Sequence, residues 1–410
     1  MRVIHLSWEY PPRRVGGIAA ALEGLCPALA RAGVETHVVT SRASGGEADE
    51  NPEPNLFIHR VDVDAVPNDF VHSIHQLNHQ IELRAEALLN EFQKKDSRKK
   101  NKPVTLLHVH DWLALFAGRN LKYRHRIPML ATIHATEYGR NGGHIDHSTV
   151  SGYVDHCEGE LQWEAWRVIV CSAYMRQEIT NAFNTPWDKI DIAYNGIEAD
   201  KFDFDFPEQE RAEFRARFAA DWQKIIYFIG RPVHEKGAHL LVQALPLVRA
   251  MGIEAKLVIA GGGGRGHLEA LASALGVWEH MYFAGRVSDG DRDRLYKVAD
   301  AACYPSLYEP FGIVALEAMA AGVPVVTSDA GGLAEVVEHN VTGTLTFAGN
   351  VESLAWGIQH ALRDPEHSRW MADNARKRVE YVFNWDRIAQ QTKDVYDRVE
   401  AEYLVSAFKP

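Results

Sequence analysis

The sequence predicts an α/β protein built from two domains. Short apolar strands alternate with helical segments along almost the whole chain, and the alternation falls into two halves of similar size. At 410 residues the chain is longer than one hydrophobic core usually supports. A turn-rich segment at 194–202 precedes a charged stretch of low periodicity that extends to about Trp222. We therefore expect one domain at 1–200 and a second at 201–384.

The composition is that of an ordinary globular protein and excludes several classes of partner. Hydrophobic residues make up 46% and charged residues 24% of the chain, and the formal net charge is −11. This charge argues against nucleic acid or an anionic membrane as the main partner, because both would repel it. Neither a signal-peptide pattern nor an apolar run of membrane-spanning length is present, so we expect a cytoplasmic location without membrane contact.

The cysteines indicate neither disulfides nor a zinc site. The four residues are scattered and form no C-x-x-C pair, which favours reduced, mostly buried thiols: Cys26, Cys157, Cys171 and Cys303. A metal site at His144, Asp146, His147 and His156 is also disfavoured, because their spacing matches neither a helical H-x-x-x-H pair nor a facial triad.

In the first half, polar and glycine residues follow three predicted strands. The first strand leads to Gly16 and Gly17 just before a helix, the strand at 104–109 leads to His110-Asp111-Trp112, and the strand at 129–133 leads to His134. Open α/β sheets bind ligands beyond the carboxyl ends of their strands, so these are candidate site residues. Glycine lets backbone amides approach a phosphate closely, although a plain turn is the alternative and no G-x-G-x-x-G fingerprint is present.

A basic run follows a predicted amphipathic helix at 71–93. Residues 94–102 contain six lysines and arginines, which could contact a membrane or an anionic polymer. A solvated helix end and loop is the interpretation that we favour.

The second half carries basic residues in its first strand-to-helix loop. Arg231 and Lys236 follow the strand at 224–229, and a guanidinium and an ammonium five residues apart could clamp a diphosphate. Four glycines at 261–264 lack the G-K-[ST] ending of a phosphate loop, so a strand-to-helix turn is expected there.

Two carboxylates bracket the start of a helix in the second half. A short strand at 301–304 enters a turn, Gly312 opens the helix, and Glu309 and Glu317 lie on either side with seven residues between them. Unpaired amides at a helix start favour an anion or a sugar oxygen, and the flanking carboxylates could accept hydrogen bonds from hydroxyls of one ligand. A capped helix with solvated glutamates is the alternative.

Taken together, these elements resemble a retaining glycosyltransferase of family 4, most of all the glycogen and starch synthases. The matching motifs are Arg14-Val15-Gly16-Gly17, His-x-His-Asp-Trp ending at Trp112, His134, Arg231 with Lys236-Gly237, and Glu309-x7-Glu317. They span nearly the whole chain in the family's order. The resemblance implies the GT-B fold, in which two Rossmann-like domains face each other across a cleft and a C-terminal helix, here about 385–410, crosses back to the N-terminal domain.

The resemblance also assigns the two domains and the site residues. The N-terminal domain would bind the acceptor and the C-terminal domain the nucleotide-sugar donor. The residues expected to be catalytic are His134, Glu309, Arg231 and Lys236. Those expected to bind the donor are Gly16, Gly17, Arg231, Lys236, Arg286, Val287, Glu309, Phe311, Gly312, Ile313 and Glu317. Those expected to bind the acceptor are Arg14, Asp111 and Tyr138.

Individual roles follow from the same resemblance. Arg231 and Lys236 would offset the charge that develops on the leaving diphosphate. Glu309 would bind hydroxyls of the sugar and Glu317 the ribose, while the backbone at 286–287 would hold the base. His134 would contact the sugar near the reacting carbon. Arg14 stands where many synthases carry lysine, which keeps the charge but changes its shape.

The reaction implied by the resemblance is transfer of glucose from ADP- or UDP-glucose to the non-reducing end of an α-1,4-glucan. No carboxylate can be assigned as a nucleophile, so a front-face reaction is expected. No cofactor or metal is expected, because Arg231 and Lys236 can hold the diphosphate without a cation. A small acceptor (a sugar phosphate, fructose or a lipid-linked sugar) is the alternative, and a non-catalytic nucleotide-sugar binder is a third possibility. The acceptor-binding loops are expected at 41–60 and 139–160. The sequence does not predict the oligomeric state.

Overall fold

The computed structural model describes residues 1–42, 45–63, 69–100 and 102–409 and divides into two compact units. The first domain comprises Met1–Asn195 together with Trp385–Pro410, and the second comprises Gly196–Asn384. Each domain has its own largely parallel sheet with helices in the connections, so the predicted α/β class is confirmed. Among the described residues, no helix combines the length and the apolar character needed to cross a membrane.

The first domain contains eight strands, β1 to β8, and helices α1 to α6. In chain order they are β1 Arg2–Leu6, α1 Gly17–Arg31, β2 Glu35–Ser41, β3 Asp49–Glu53, β4 Leu56–Val61, α2 Phe70–Asp96, β5 Thr105–His110, α3 Leu115–His125, β6 Met129–Ile133, α4 Glu137–Arg140, α5 Val150–Glu164, β7 Val168–Val170, α6 Ala173–Phe183 and β8 Ile190–Ile192. Short 3-10 helices lie at Trp112–Ala114 and Trp187–Lys189.

The first sheet has the order β3-β4-β2-β1-β5-β6-β7-β8, and only β3 is antiparallel to its neighbour. The chain leaves β1 in one direction to β2 and later returns to its other side with β5, so the strand order reverses between β1 and β5. Ligands of open α/β sheets bind at such a reversal, beyond the carboxyl ends of the strands. The residues following β1, β5 and β6 all emerge at this edge.

The last helix of the chain belongs to the first domain. Helix α15 (Trp385–Val405) packs against α1 and shares a buried apolar cluster with it, which includes Ala21, Ala28, Trp385, Ile388 and Val399. The contact is close, because a Cβ on Gly24 would lie 2.0 Å from the indole of Trp385. The C-terminal helix thus completes the core of the N-terminal domain.

The second domain contains strands β9 to β14 and helices α7 to α14. They are α7 Glu208–Ala216, β9 Lys224–Ile229, α8 Ala238–Ala250, β10 Ala255–Ala260, α9 Gly266–Ala274, β11 Met281–Gly285, α10 Asp289–Val298, β12 Ala301–Tyr304, α11 Ile313–Ala320, β13 Val325–Ser328, α12 Leu333–Val336, β14 Thr344–Thr346, α13 Val351–Arg363 and α14 Pro365–Val382. Short 3-10 helices lie at Ala199–Phe202, His234–Lys236 and Trp278–His280.

The second sheet is parallel throughout and has the order β11-β10-β9-β12-β13-β14. Its strand order reverses between β9 and β12, so the loops after these two strands lie beside each other at the ligand-binding edge. The loop after β9 carries the predicted basic pair, and the loop after β12 carries Glu309, while Glu317 lies within α11.

Two sequence-based expectations are corrected, and one stretch without a predicted element contains a helix. The expected acceptor loop at 41–60 includes β3 and most of β4, and Ala43 and Ser44 lie outside the described residues. The expected loop at 139–160 contains only a short connection, because α4 extends to Arg140 and α5 begins at Val150. The charged stretch before Trp222 contains helix α7, which buries only Phe214 and so shows little apolar periodicity.

The basic run at 94–102 begins inside α2, whose last turn includes Lys94 and Lys95. Lys99 pairs with Asp96 at 2.7 Å, and Lys95 lies 3.7 Å from Glu35. Asn101 lies outside the described residues. The run is therefore partly neutralised by carboxylates of its own domain.

Candidate active-site residues in the two domains

Three histidines of the first domain form a hydrogen-bonded row. His5 lies on β1, His110 ends β5, and His134 directly follows β6. His5 Nδ1 lies 3.0 Å from His110 Nε2, and His110 Nδ1 lies 3.2 Å from His134 Nε2. We call His5, His110 and His134 the histidine row. It leads from the interior of the sheet to the edge at which the strand order reverses.

The inner members of the row are shielded from water. His5 and His110 have no exposed surface, and burial lowers the pKa of His5 to about 3 and that of His110 well below its usual value. His134 is partly exposed, and burial of its ring also lowers its pKa, against the attraction of Asp111 and Glu9. All three imidazoles are therefore neutral at pH 7.

Asp111 holds the backbone beside the outer end of the row. Its carboxylate accepts a hydrogen bond of 2.7 Å from the backbone N–H of His134. Its own backbone has φ of +56°, a conformation that non-glycine residues rarely adopt and that turns the chain sharply after β5. Burial raises the pKa of Asp111. Asp111, which was predicted to bind the sugar acceptor, thus orients His134 in this structure.

One group of histidines has the spacing of metal ligands. Nitrogens of His5, His108 and His110 lie within 4.8 Å of one another. Both nitrogens of His108 are already paired, however, with the Tyr396 hydroxyl at 2.6 Å and Thr132 Oγ1 at 2.7 Å. His5 and His110 are paired with each other. His108 therefore links the sheet to α15 structurally. We assign no metal to these three histidines.

The predicted glycine pair lies at the start of α1, and one of its amides already has an internal partner. Glu9, which is 1% exposed, accepts hydrogen bonds from the backbone N–H groups of Val15 and Gly16, the latter at 3.0 Å. A carboxylate therefore occupies part of the helix start at which a phosphate is expected. Sequence reasoning missed Glu9, although its place between β1 and the glycines was a usable signal. Arg14 is exposed and pairs with Glu23 at 2.6 Å.

Tyr138 lies in the short helix α4, whose start is held by buried groups. Thr136 accepts a hydrogen bond from the backbone N–H of Gly139, and the buried Glu158 accepts from that of Glu137. Tyr138 is half-buried and packs against Gly143, where a Cβ would come within 3.2 Å of the tyrosine hydroxyl. The ring thus rests on the glycine turn that follows α4.

In the second domain the structure brings Lys236 and Glu309 together. Lys236 Nζ lies 2.8 Å from Glu309 Oε2, and the Ser306 hydroxyl donates to the same oxygen at 3.4 Å. Glu309 is 7% exposed, and the Lys236 side chain retains 28% of its exposure. Lys236, which was predicted to bind phosphate, and Glu309, which was predicted to bind sugar, therefore neutralise each other in this structure.

Backbone contacts join the loops that carry this pair. The N–H of Leu307 donates to the Glu235 carbonyl at 2.8 Å. Gly237 has φ of +69°, and a Cβ there would lie 2.0 Å from the Pro305 carbonyl oxygen. Only glycine allows this approach. The loop after β9 is thereby fixed against the loop after β12.

Glu317 is held by a different set of residues from Glu309. Its carboxylate accepts a hydrogen bond of 3.0 Å from the Tyr296 hydroxyl, and Lys201 and Arg292 lie at 3.5 and 3.8 Å. Lys201, Arg292 and Tyr296 were not predicted as site residues, because Lys201 lies in the 3-10 helix before α7 and the other two lie on α10, both distant in sequence from Glu317. Glu317 is 9% exposed, so little of it remains open to a ribose.

The remaining residues that were predicted to bind the nucleotide-sugar donor differ in which of their groups are accessible. Arg231 and Arg286 are exposed, and Val287 is half-buried. Phe311 is 2% exposed and packs edge-on against Phe383, so only its backbone could contact a ligand. Gly312 has φ of +107° at the cap of α11, directly before Ile313, and a Cβ there would lie 2.5 Å from Leu333 Cδ2.

Two family models match the chain. Residues 15–201 match the model described as Glycosyltransferase Family 4, and residues 209–378 match that of Glycosyl transferases group 1. An uncharacterized glycosyltransferase of Methanocaldococcus jannaschii is 38% identical over 97% of this chain and 98% of that protein. Glycogen synthase of Mycobacterium tuberculosis is 34% identical over 97% of this chain and 94% of that protein.

A solved structure shares the architecture of the whole chain. Sucrose-phosphate synthase from Thermosynechococcus elongatus superposes with a TM-score of 0.77 and 24% identity, over 98% of this chain and 99% of that one. At this level of identity the likeness concerns the fold.

Proposed function

Because this chain belongs to the glycosyltransferase family described by those two models and has the GT-B fold, we propose that it is a glucan synthase. It would transfer glucose from ADP- or UDP-glucose to the non-reducing end of an α-1,4-glucan. The observation that carries this proposal is the 34% identity to a glycogen synthase over almost the full length of both chains. A fold alone would not support it, because this architecture is used with many sugars.

The Lys236–Glu309 pair supports a donor-binding role for the second domain. A nucleoside diphosphate would attract Lys236 and Arg231, and Glu309 would then be free to accept hydrogen bonds from sugar hydroxyls. The amides at Gly312 and Ile313 begin α11 and add donors for the phosphates. Positive groups fixed before the reaction stabilise the charge that develops on the leaving diphosphate.

The histidine row and its surroundings support a role for the first domain in handling the sugar. His134 is held by Asp111 through its backbone and by His110 through its ring. A neutral imidazole fixed in this way can hydrogen-bond a sugar hydroxyl without adding charge. Tyr138 and Arg14 would contact the acceptor, and Gly17 would supply a backbone amide near the donor.

We propose a front-face mechanism with retention of configuration. The C1–oxygen bond of the donor breaks as the acceptor hydroxyl attacks the same face of the sugar. The departing phosphate takes the acceptor proton, so the products are the extended glucan and the nucleoside diphosphate. This route requires no enzymic nucleophile, and the carboxylates of Glu309 and Glu317 are engaged by neighbouring side chains.

A screen of donors against acceptors tests the proposal. ADP-, UDP- and GDP-sugars are each incubated with glycogen, maltose, glucose 1-phosphate or water, and nucleoside diphosphate release and sugar products are measured. We expect release from ADP- or UDP-glucose that depends on glycogen, with the new linkage in the α configuration. Release that depends only on a small sugar or sugar phosphate would favour the small-acceptor alternative, and a β linkage would contradict the mechanism.

A further inference from the structure

The inner end of the histidine row is unpaired. His5 Nδ1 contacts His110, but His5 Nε2 is buried and has no hydrogen-bond partner among the residues that the structure describes. A buried N–H without a partner is rare and costly, and a buried lone pair without one is better tolerated. The arrangement therefore favours a proton on Nδ1 of His5 and none on Nε2.

That choice propagates along the row, because a neutral imidazole carries one N–H donor and one acceptor. His5 Nδ1–H donates to His110 Nε2, which must then be the acceptor nitrogen of its ring. His110 consequently carries its proton on Nδ1 and donates to His134 Nε2. His134 in turn must carry its proton on Nδ1.

We propose that His5 and His110 are positioning residues that hold His134 in the Nδ1–H tautomer. Because Nε2 of His134 is paired with His110, Nδ1 is the ring nitrogen through which His134 would contact a ligand. The row makes this nitrogen a hydrogen-bond donor, suited to the oxygen of a sugar hydroxyl. The tautomer of a histidine is commonly set by the bond that its other nitrogen makes.

The inference concerning catalysis rests on the proposed function, in which His134 contacts the transferred sugar. The inference concerning the tautomer does not, because it can be read from the protein alone. Burial of His5 and His110 keeps both rings neutral, as the propagation requires.

The experiment compares two substitutions of similar shape at position 5. His5→Leu removes the donor to His110, whereas His5→Asn keeps an amide N–H near the place of Nδ1. Two-bond proton–nitrogen NMR spectra of the protein labelled with nitrogen-15 at its histidines report which ring nitrogen is protonated. The His134 signals are identified by their loss in His134→Gln. Initial rates are measured on the same samples.

We expect protonated Nδ1 and bare Nε2 for His134 in the parent protein and in His5→Asn, and a shift toward the other tautomer in His5→Leu. We expect kcat of His5→Leu to fall about tenfold, because the loss of one hydrogen bond has an effect of this size. KM for the nucleotide sugar should stay within about twofold of the parent value. His5→Asn should recover most of this loss.

His37→Leu is the matched control. His37 is also a buried histidine paired with another, His59, at 3.1 Å. It pairs in register with Ile4 on β1, so it lies on the face of the sheet opposite His5. Neither the His134 tautomer nor kcat should change in this variant.

Three results would overturn the proposal. They are a bare Nδ1 on His134 in the parent protein, an unchanged tautomer in folded His5→Leu, and an equal loss of kcat in the Leu and Asn variants, which would indicate packing alone. If the parent protein transferred no sugar from any donor, the proposed function would fail, while the spectra would still decide the tautomer.

Discussion

At the scale of single residues, the pairing of Lys236 with Glu309 is the most informative contact in the second domain. The family resemblance implied that both residues are ligands for different parts of one donor. Their separation of 2.8 Å was not predictable, because the two residues are 73 positions apart in the sequence. In this structure each satisfies the charge of the other.

Lys236→Met and Glu309→Gln should each lower kcat at least about a hundredfold, because each removes a group that we propose stabilises the developing charge or binds the sugar. The measurement is the initial rate of nucleoside diphosphate release at saturating donor. Circular dichroism and melting temperature show whether the fold is kept.

Lys224→Met is the control for this prediction. It breaks a similar ion pair, with Asp300 at 3.0 Å, but Lys224 is the first residue of β9 and lies at the opposite end of that strand from Lys236. Its kcat should stay within about twofold of the parent value. Near-normal rates in both site variants would remove Lys236 and Glu309 from the catalytic machinery.

The limits of sequence reasoning at this scale have a physical cause. Residues beyond strand ends were found because parallel strands bring their carboxyl ends to one edge. Lys201 and Arg292 were missed because their side chains reach Glu317 from segments that are distant in sequence. No local pattern records such a contact.

At the scale of elements, close backbone approaches fix the loops that carry the candidate donor-binding residues. The loop after β9 contacts the loop after β12 at Gly237, where the Pro305 carbonyl leaves no room for a side chain. The glycine was visible in the sequence, but its neighbour was not. The position of Lys236, the preceding residue, depends on this contact.

Gly237→Ala should lower both stability and kcat. The left-handed backbone alone costs a non-glycine residue about 1–2 kcal/mol, and the added Cβ would also collide with a carbonyl oxygen. Gly252→Ala isolates the first effect, because Gly252 has φ of +82° and nothing within 4 Å of a built Cβ. The melting temperature should fall further for Gly237→Ala, and only that variant should lose kcat. Equal melting temperatures would contradict the close approach.

Elements with strong periodicity were predicted well, and polar ones were not. Helix α2 was expected at 71–93 and spans Phe70–Asp96, because its buried positions repeat at helical spacing. Strand β3 has the sequence DENPE and lies at the edge of the sheet, where little of it is buried. Its pairing with β4, and not its composition, makes it a strand.

At the scale of the whole molecule, the buried histidines predict how stability varies with pH. The pKa of His5 falls from 6.5 to about 3 on folding, because of burial. Below pH 6.5 the unfolded chain binds a proton at this residue that the folded chain does not, so stability is full above pH 6.5 and is lost as pH falls toward 3. The loss is about 1.4 kcal/mol per pH unit for such a group.

The melting temperature should therefore fall between pH 7.5 and 5, and it should fall less in His5→Leu, which lacks this proton uptake. His79→Leu, at an exposed position on α2, is the control and should follow the parent protein. If the melting temperature of His5→Leu varied with pH in parallel with that of the parent protein, His5 would bind the same number of protons in the folded and unfolded states, contrary to this prediction.

Activity should not require a divalent metal ion, because the positive charge expected at the diphosphate comes from Arg231 and Lys236. Initial rates with excess chelator should match those with added magnesium. Loss of turnover with chelator and its recovery with magnesium would contradict this role for the two side chains.

The division of the chain was harder to predict than the fold class. The alternation of strands and helices indicated two α/β domains, and the family resemblance indicated that the last helix returns to the first. The contact that secures this return, between Gly24 and Trp385, joins residues at opposite ends of the sequence. Such a contact leaves no local pattern in the sequence.

The placement of α15 has a consequence for biosynthesis. As the chain leaves the ribosome, residues 1–195 emerge first but still lack the helix that covers α1. The second domain is continuous at 196–384, so all of its residues are available before that helix is made. The domain that is begun first is thus completed last, and until α15 emerges its uncovered apolar face is open to chaperones or to other nascent chains.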